Sequence, residues 1–293
     1  MATAAQWVEG ARPRTLPAAV APVLVGFGAA VADGHPVWWA ALLALVVSLA
    51  LQVGVNYAND YSDGVRGTDA DRVGPFRLVG SGAAEPRSVK LAAFACFGLA
   101  AVVGLVLVAA TGTWELLVVG ALSIVAAWYY TGGRRPYGYR GLGEVSVFVF
   151  FGLVAVVGTT YVEVGHVTAA AVLGGIACGA LACAILVANN LRDIPTDRVT
   201  GKRTLAVRLG DPRSRTLYRA LVVLAFLVAA VLALVVSPWA LVALAAVPLA
   251  APPLRALAAG ATGRELIAVL AGTGRLQLVY GVLLGAGLAL AAA

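Results

Sequence analysis

The chain has 293 residues, 61% of them hydrophobic and only 12% charged, with a net charge of +7. Soluble domains carry roughly 25% charged residues, so this composition excludes water as the main solvent. Apolar runs of about 20 residues, the reach needed to cross a bilayer as a helix, recur along the whole length. No period-2 alternation accompanies them, which favours an all-α polytopic membrane protein over a barrel.

In chain order the pattern predicts nine transmembrane helices, near residues 15–32, 37–58, 89–110, 113–131, 143–161, 167–190, 215–236, 238–257 and 272–291. The first follows Arg12 and Arg14 and ends in Ala30-Val31-Ala32. That arrangement imitates a signal peptide, but small residues abound here, and the segment reads as a retained span. The eighth is interrupted by Pro248, Pro252 and Pro253. Cys96, Cys178 and Cys183 lie inside apolar runs without metal-site spacing and read as packing residues. His35 and His166 fall near the short loops, away from the acids, which argues against histidine-based metal or acid–base chemistry.

Charge sets the expected topology. The short loops after spans one, three, five and seven contain no Lys or Arg, and all 21 basic residues lie in the N-terminal segment or in and beside the other four loops. The positive-inside rule then places the N-terminus and those four loops in the cytoplasm. Basic residues gathered at a membrane face meet anionic lipid or anionic headgroups, so the positive charge does not point to nucleic acid.

Span two runs out through Asn56, Asp60 and Asp63 to Gly67, and span six through Asn189, Asp193 and Asp197 to Gly201. Each copy spaces Asn and Asp by four, and places its second Asp four before a Gly. One membrane-embedded domain over 1–293 is therefore expected, built from two four-helix halves (roughly 11–140 and 141–257) in parallel repeat, plus an extra helix at 272–291.

The chemistry concentrates in three segments. In the first, Asp60 and Asp63 share a helix face if span two continues through them, and Asn59, Arg66, Asp69, Asp71, Arg72 and Arg77 surround them. In the second, Asp193 and Asp197 share a face beside Asn189 and Asn190, and Lys202, Arg203 and Arg208 follow. Pro195 lies between the two acids and removes a backbone donor, so a break or kink is expected there. Acids bundled at helix mouths repel one another unless a cation sits between them. Mg²⁺ takes carboxylate oxygens and completes its shell with water and substrate phosphate. Arg and Lys supply the phosphate partners. The third segment, Tyr129 to Arg140, holds Tyr129, Tyr130, Tyr137 and Tyr139 with Arg134, Arg135 and Arg140. It reads either as an interfacial aromatic belt or as the lining of an aromatic site.

At these residues the sequence resembles the UbiA superfamily of intramembrane prenyltransferases. The family's NDxxDxxxD motif matches Asn59-Asp60 and Asp63, and its DxxxD motif matches Asp193 and Asp197. The third acid of the first motif is replaced by Gly67, with Asp69 two residues on, which leaves open which carboxylate binds which ion. Ala11 to Pro17, Gly80 to Gly82, Tyr130 to Gly133, Gly141 to Glu144 and Asn189 to Gly210 look closest to the branch that prenylates 1,4-dihydroxy-2-naphthoate.

The resemblance implies transfer of a polyprenyl chain from polyprenyl diphosphate to that acceptor, with loss of CO₂ and diphosphate, giving demethylmenaquinone. It implies two Mg²⁺ held by Asp60, Asp63, Asp193 and Asp197, with Asp69 a further ligand. Substrate contacts are expected from Asn59, Arg66, Arg134, Arg135, Tyr139, Asn189, Asn190, Lys202 and Arg203. No residue stands out as a general base. A relative with another aromatic acceptor is the nearest alternative. A secondary transporter is a weaker one, because transporters place polar groups at the membrane midplane between inverted repeats. Glu115 and Glu144, near span ends, are the only acids placed for such a role.

Overall fold

The structure is a computed structural model that describes residues 2–67 and 76–292. Helices account for all the regular structure among those residues: α1 (Ala4–Gly10), α2 (Pro17–Ala32), α3 (Trp38–Val65), α4 (Pro86–Thr111), α5 (Leu116–Tyr129), α6 (Gly143–Phe148), α7 (Ala155–Val164), α8 (Ala169–Val199), α9 (Leu205–Val235), α10 (Val247–Ala258) and α11 (Glu265–Ala289). A π-helical segment, Val149–Val154, joins α6 to α7, and a 3₁₀ segment, Pro238–Ala246, leads into α10.

Each of the nine expected segments is helical. By length and composition, seven helices among the described residues can cross a membrane, or eight when the bent pair Ala4–Thr15 and Pro17–Ala32, at 51°, counts as one span. α5 falls short of that test with 14 residues, about 21 Å at 1.5 Å per residue.

The ends of α3 and α8 matter most for function. Both outrun their expected spans, α3 to Val65 and α8 to Val199, so the two acidic motifs sit in the last turns of long helices. The expected break at Pro195 does not occur. Pro195 withholds only the donor to the Leu191 carbonyl, and α8 runs on to Val199, where the Lys202 N–H donates to the Asp197 carbonyl (2.9 Å). Asp193 and Asp197 therefore stay on one face. The break falls instead in α9, at Gly210, whose φ of 76° and ψ of 171° interrupt the helix.

α3 packs mainly on α4, α8 on α9, and α11 on α2. The α2–α11 contact is backbone to backbone: a Cβ on Gly28 would lie 2.2 Å from the Gly285 carbonyl oxygen. The π-helical turn meets α8 in the same way, with a Cβ on Gly152 falling 2.6 Å from the Gly179 Cα. The principal core joins α2, α8, α9, α10 and α11 around Val25, Leu181, Tyr218, Leu257 and Leu284. A second core holds α1 and the segment after residue 76 against α3 and α4, through Tyr57, Leu78, Val89 and Phe97. Between these cores the α5 and α7 side is loosely filled, and a cavity remains.

Candidate functional site

The cavity has a volume of about 700 Å³ and runs from the ends of α3 and α8 along α4, α5 and α7. Its long wall is apolar, formed by Leu51, Val55, Gly104, Leu107, Ile124 and Phe150 among others. π-helical turns recur at functional positions, and here Phe150, Phe151 and Val154 of that turn all line the cavity.

The polar end is assembled from four stretches of chain. On α3, Gln52 and Asn56 reach back to the N-terminal segment. The Gln52 amide donates to Thr15 Oγ1 (2.8 Å), and the Asn56 amide donates to the Ala11 carbonyl (2.9 Å) and Thr15 Oγ1 (3.0 Å). This clamp stands Arg12 and Arg14 in the cavity wall. Arg12 takes a left-handed backbone conformation, φ 55°, as the chain bends into Pro13. One turn further along α3, Asp60 is fully buried, and its two carboxylate oxygens accept the backbone N–H groups of Leu78 (2.7 Å) and Val79 (2.9 Å).

Anchoring that loop delivers Arg77, whose Nη2 lies 3.5 Å from Asp63 Oδ2. The other Asp63 oxygen meets Lys202 Nζ at 3.1 Å and accepts a hydrogen bond from the Tyr139 hydroxyl. Burial and the adjacent Asp63 carboxylate push the Tyr139 hydroxyl above its ordinary range, which keeps it protonated as a donor. Lys202 also sits over the Tyr139 ring, 4.6 Å from its centroid.

On α8, Arg192 is buried and forks onto its neighbour. Its Nε and Nη2 donate to the two oxygens of Asp193 (2.7 and 2.8 Å), and Nη2 also reaches Asn189 Oδ1 (2.8 Å). Asn190 donates to Glu144 Oε1 at 2.9 Å. Asp197 is buried, with Thr204 Oγ1 at 3.5 Å. The loop after α8 closes the end, since the Arg203 N–H donates to the Tyr139 carbonyl (2.9 Å) while Lys202 crosses to Asp63.

The structure thus brings Asn59, Asp63, Tyr139, Asn189, Asn190, Asp193, Asp197 and Lys202 to one cavity wall. Arg77, Tyr130 and Tyr137 also line it, and the other described sequence candidates lie elsewhere. Asp60 is spent on backbone N–H groups and does not line the cavity. Arg66 donates to the Thr131 and Gly133 carbonyls, with its guanidinium 5.3 Å from the Tyr139 ring centroid, and so ties down the tyrosine-rich loop. Arg134, Arg135 and Arg203 are exposed and absent from the wall. Asp69, Asp71 and Arg72 lie outside the described residues. Sequence reasoning missed Arg192 and the Arg12–Thr15 segment as parts of the wall. An arginine next to an acid in the last turns of an apolar helix, and the polar pair Gln52 and Asn56 one turn apart on the apolar α3, were the available signals.

The donors facing the cavity suit Mg²⁺. Asp63, Asp193 and Asp197 are hard oxygen ligands on two facing helix ends, flanked by amide oxygens and by cations fit for phosphate. Among the described residues, no three acidic, His or Cys side chains are close enough to hold an ion alone. An ion held by one or two carboxylates and completed by phosphate and water needs no such trio.

Comparison with known proteins supplies the context. The model of the UbiA prenyltransferase family matches residues 19–265. A curated 1,4-dihydroxy-2-naphthoate octaprenyltransferase of Mycobacterium tuberculosis is 55% identical over 289 residues, covering 99% of this chain and 98% of the relative. Among solved structures, an apo UbiA homolog from Aeropyrum pernix superposes with a TM-score of 0.71 at 17% identity, covering 92% of this chain and 96% of the other. A UbiA homolog from Archaeoglobus fulgidus bound to DMAPP and Mg²⁺ superposes with a TM-score of 0.63 at 16% identity, covering 95% and 99%. At such identities the two structures establish a shared fold.

Proposed function

The chain belongs to the UbiA prenyltransferase family, and on that premise we propose that it transfers a polyprenyl chain from its diphosphate to 1,4-dihydroxy-2-naphthoate, releasing diphosphate and CO₂. One observation carries the reading. Asp63 of α3 and Lys202 beyond α8, distant in sequence, meet at 3.1 Å at the polar end of a cavity whose remaining wall is mostly apolar. A charged head and a long hydrocarbon tail are the two ends of a prenyl diphosphate. The name of the M. tuberculosis relative, together with the solved neighbour that holds DMAPP and Mg²⁺, supports the acceptor and the donor class respectively.

Asp63, Asp193 and Asp197 are the residues that would hold Mg²⁺, two ions in our reading, because they are the carboxylates on the wall. Bound there, the metal would offset the negative charge that builds on the departing diphosphate. Lys202 and Arg77 contribute a point charge and a guanidinium to the same group. Arg192 orients Asp193 from behind with both of its carboxylate bonds. Tyr139 holds Asp63 in place from the other side. The apolar wall packs the tail and excludes water while the allylic carbon–oxygen bond breaks. The ring carbon of the acceptor then attacks that carbon, and the carboxyl group leaves as CO₂.

We further read the nine helical segments as nine spans. Two four-helix halves place α3–α4 and α8–α9 in corresponding positions, and α11 closes on α2. The positive-inside distribution supports a cytoplasmic N-terminus and site in a bacterial inner membrane.

The test is turnover by the purified protein in Mg²⁺-containing detergent, with a polyprenyl diphosphate and either dihydroxynaphthoate or 4-hydroxybenzoate. Prenylated naphthoate with CO₂ release is expected. Prenylation of hydroxybenzoate alone would replace the acceptor, and no prenylation of either would end the proposal.

A further inference from the structure

The carboxylate of Glu144 plays no part in the account above, yet it is buried at the first turn of α6, just behind the cavity wall. A carboxylate removed from water is costly unless hydrogen bonds replace its hydration. Glu144 has one: its Oε1 accepts from Asn190 Nδ2 at 2.9 Å, while Oε2 has no partner among the described residues. Its own turn is fastened to α8 a second time, where the Cys183 thiol donates to the Glu144 carbonyl at 3.0 Å. The backbone at Glu144 is therefore tied to α8 while its side chain is bonded to Asn190.

Asn190 lies on the cavity wall, one turn before Asp193 on α8. An asparagine amide can present either its oxygen or its nitrogen to a ligand, and the two are nearly isosteric. Glu144 removes that ambiguity. A carboxylate oxygen accepts, so it takes the Asn190 NH₂, and the Asn190 Oδ1 is left without a protein partner among the described residues, beside the cavity. Of the other polar groups on the wall, the carboxylates of Asp63, Asp193 and Asp197 are those that would hold metal, and Arg12, Arg77, Lys202 and Tyr139 are donors. Those donors suit phosphate and carboxylate oxygens. An oriented amide oxygen suits a hydroxyl.

We propose that Glu144 is a positioning residue that locks the Asn190 amide with its oxygen toward the cavity, and that this oxygen accepts a hydrogen bond from a ring hydroxyl of the aromatic acceptor. The inference rests on the proposed function for the identity of that acceptor. A site built to hydrogen-bond a hydroxyl rejects analogues that lack it, because its own buried polar group is then unpaired. Asn190 and Glu144 thereby select dihydroxylated rings over monohydroxylated ones.

The test uses steady-state kinetics of the full-length protein with a polyprenyl diphosphate and dihydroxynaphthoate, alongside thermal unfolding in the same detergent. Glu144→Ala is expected to raise the acceptor KM about tenfold, the worth of one oriented hydrogen bond, with the donor KM unchanged. Glu144→Gln retains an accepting oxygen and should stay close to wild type. Asn190→Asp sets two carboxylates against each other and should raise the acceptor KM. The double variant Glu144→Gln with Asn190→Asp restores a donor–acceptor pair and should recover it. Used as competitive inhibitors, 1-hydroxy-2-naphthoate and 4-hydroxy-2-naphthoate report which hydroxyl is read. For the analogue lacking that hydroxyl, wild type and Glu144→Ala should bind equally.

An unchanged acceptor KM in a stably folded Glu144→Ala protein overturns the inference. So does an equal rise in both KM values, which marks a merely structural role. If Glu144→Ala does not fold, failure of the double variant to recover over Asn190→Asp overturns it. A wild-type protein inactive on dihydroxynaphthoate instead fells the proposed function, and this inference with it.

Discussion

The two acidic motifs end matching helices and look alike in sequence, but the structure employs them differently. On α8 both acids, Asp193 and Asp197, line the cavity, and the orienting group comes from the same helix as the Arg192 fork. On α3 only the second acid, Asp63, lines the cavity. The first, Asp60, holds the backbone of Leu78 and Val79, so that Arg77 arrives beside Asp63 from a different segment. One helix end carries its own support, while the other recruits a loop for it. Similar spacing therefore does not guarantee similar work, because Asp60 is turned to the backbone of another segment and does not line the cavity.

This contrast can be broken by substitution. Asp193→Asn is expected to cause the largest loss, at least ~100-fold in kcat/KM at saturating Mg²⁺, as expected when charge stabilisation is removed from a transition state. Lys202→Ala comes next, with the donor KM rising about tenfold through one lost charged contact to diphosphate and the acceptor KM unmoved. Asp60→Asn should behave unlike either. It costs stability, about 1–3 kcal/mol for the unsatisfied buried N–H groups, readable as a lower unfolding midpoint, and extra Mg²⁺ does not restore its activity. A normal midpoint with a loss of metal affinity would instead return Asp60 to the ligand set. Arg134→Ala and Arg135→Ala should have the smallest effect, under about twofold on either KM, because both residues are exposed and exposed charges contribute little.

Much of this arrangement was legible in the sequence. Hydropathy located nine helical segments but not α1 or the first turns of α9, and the paired Asn–Asp spacing of α3 and α8 located both sets of acids. Three features were hidden, for physical reasons. Pro195 reads as a break, but it removes a single donor, the one to the Leu191 carbonyl, and α8 stays helical to Val199. Arg134, Arg135 and Arg203 match the composition of a phosphate site, but composition does not say which way an arginine points, and these three are exposed. Asp60 and Asp63 share a helix face, yet the loop that claims Asp60 returns from beyond residue 76, a tertiary contact without a local signature. Glu144 was visible as an acid near a span end and as part of the Gly141–Glu144 segment, without a partner. Its link to Asn190 joins residues 46 apart in the chain.

The account depends on the ends of α3 and α8 gripping the same cation and diphosphate. The most direct measurement is Mn²⁺ binding, followed by electron paramagnetic resonance, in the purified protein with farnesyl thiodiphosphate, a slowly reacting donor. Asp63→Asn and Asp193→Asn should each, alone, weaken Mn²⁺ binding at least ~10-fold, since an ion held by few carboxylates loses heavily with either one. Wild-type Mn²⁺ affinity in both single variants would contradict it.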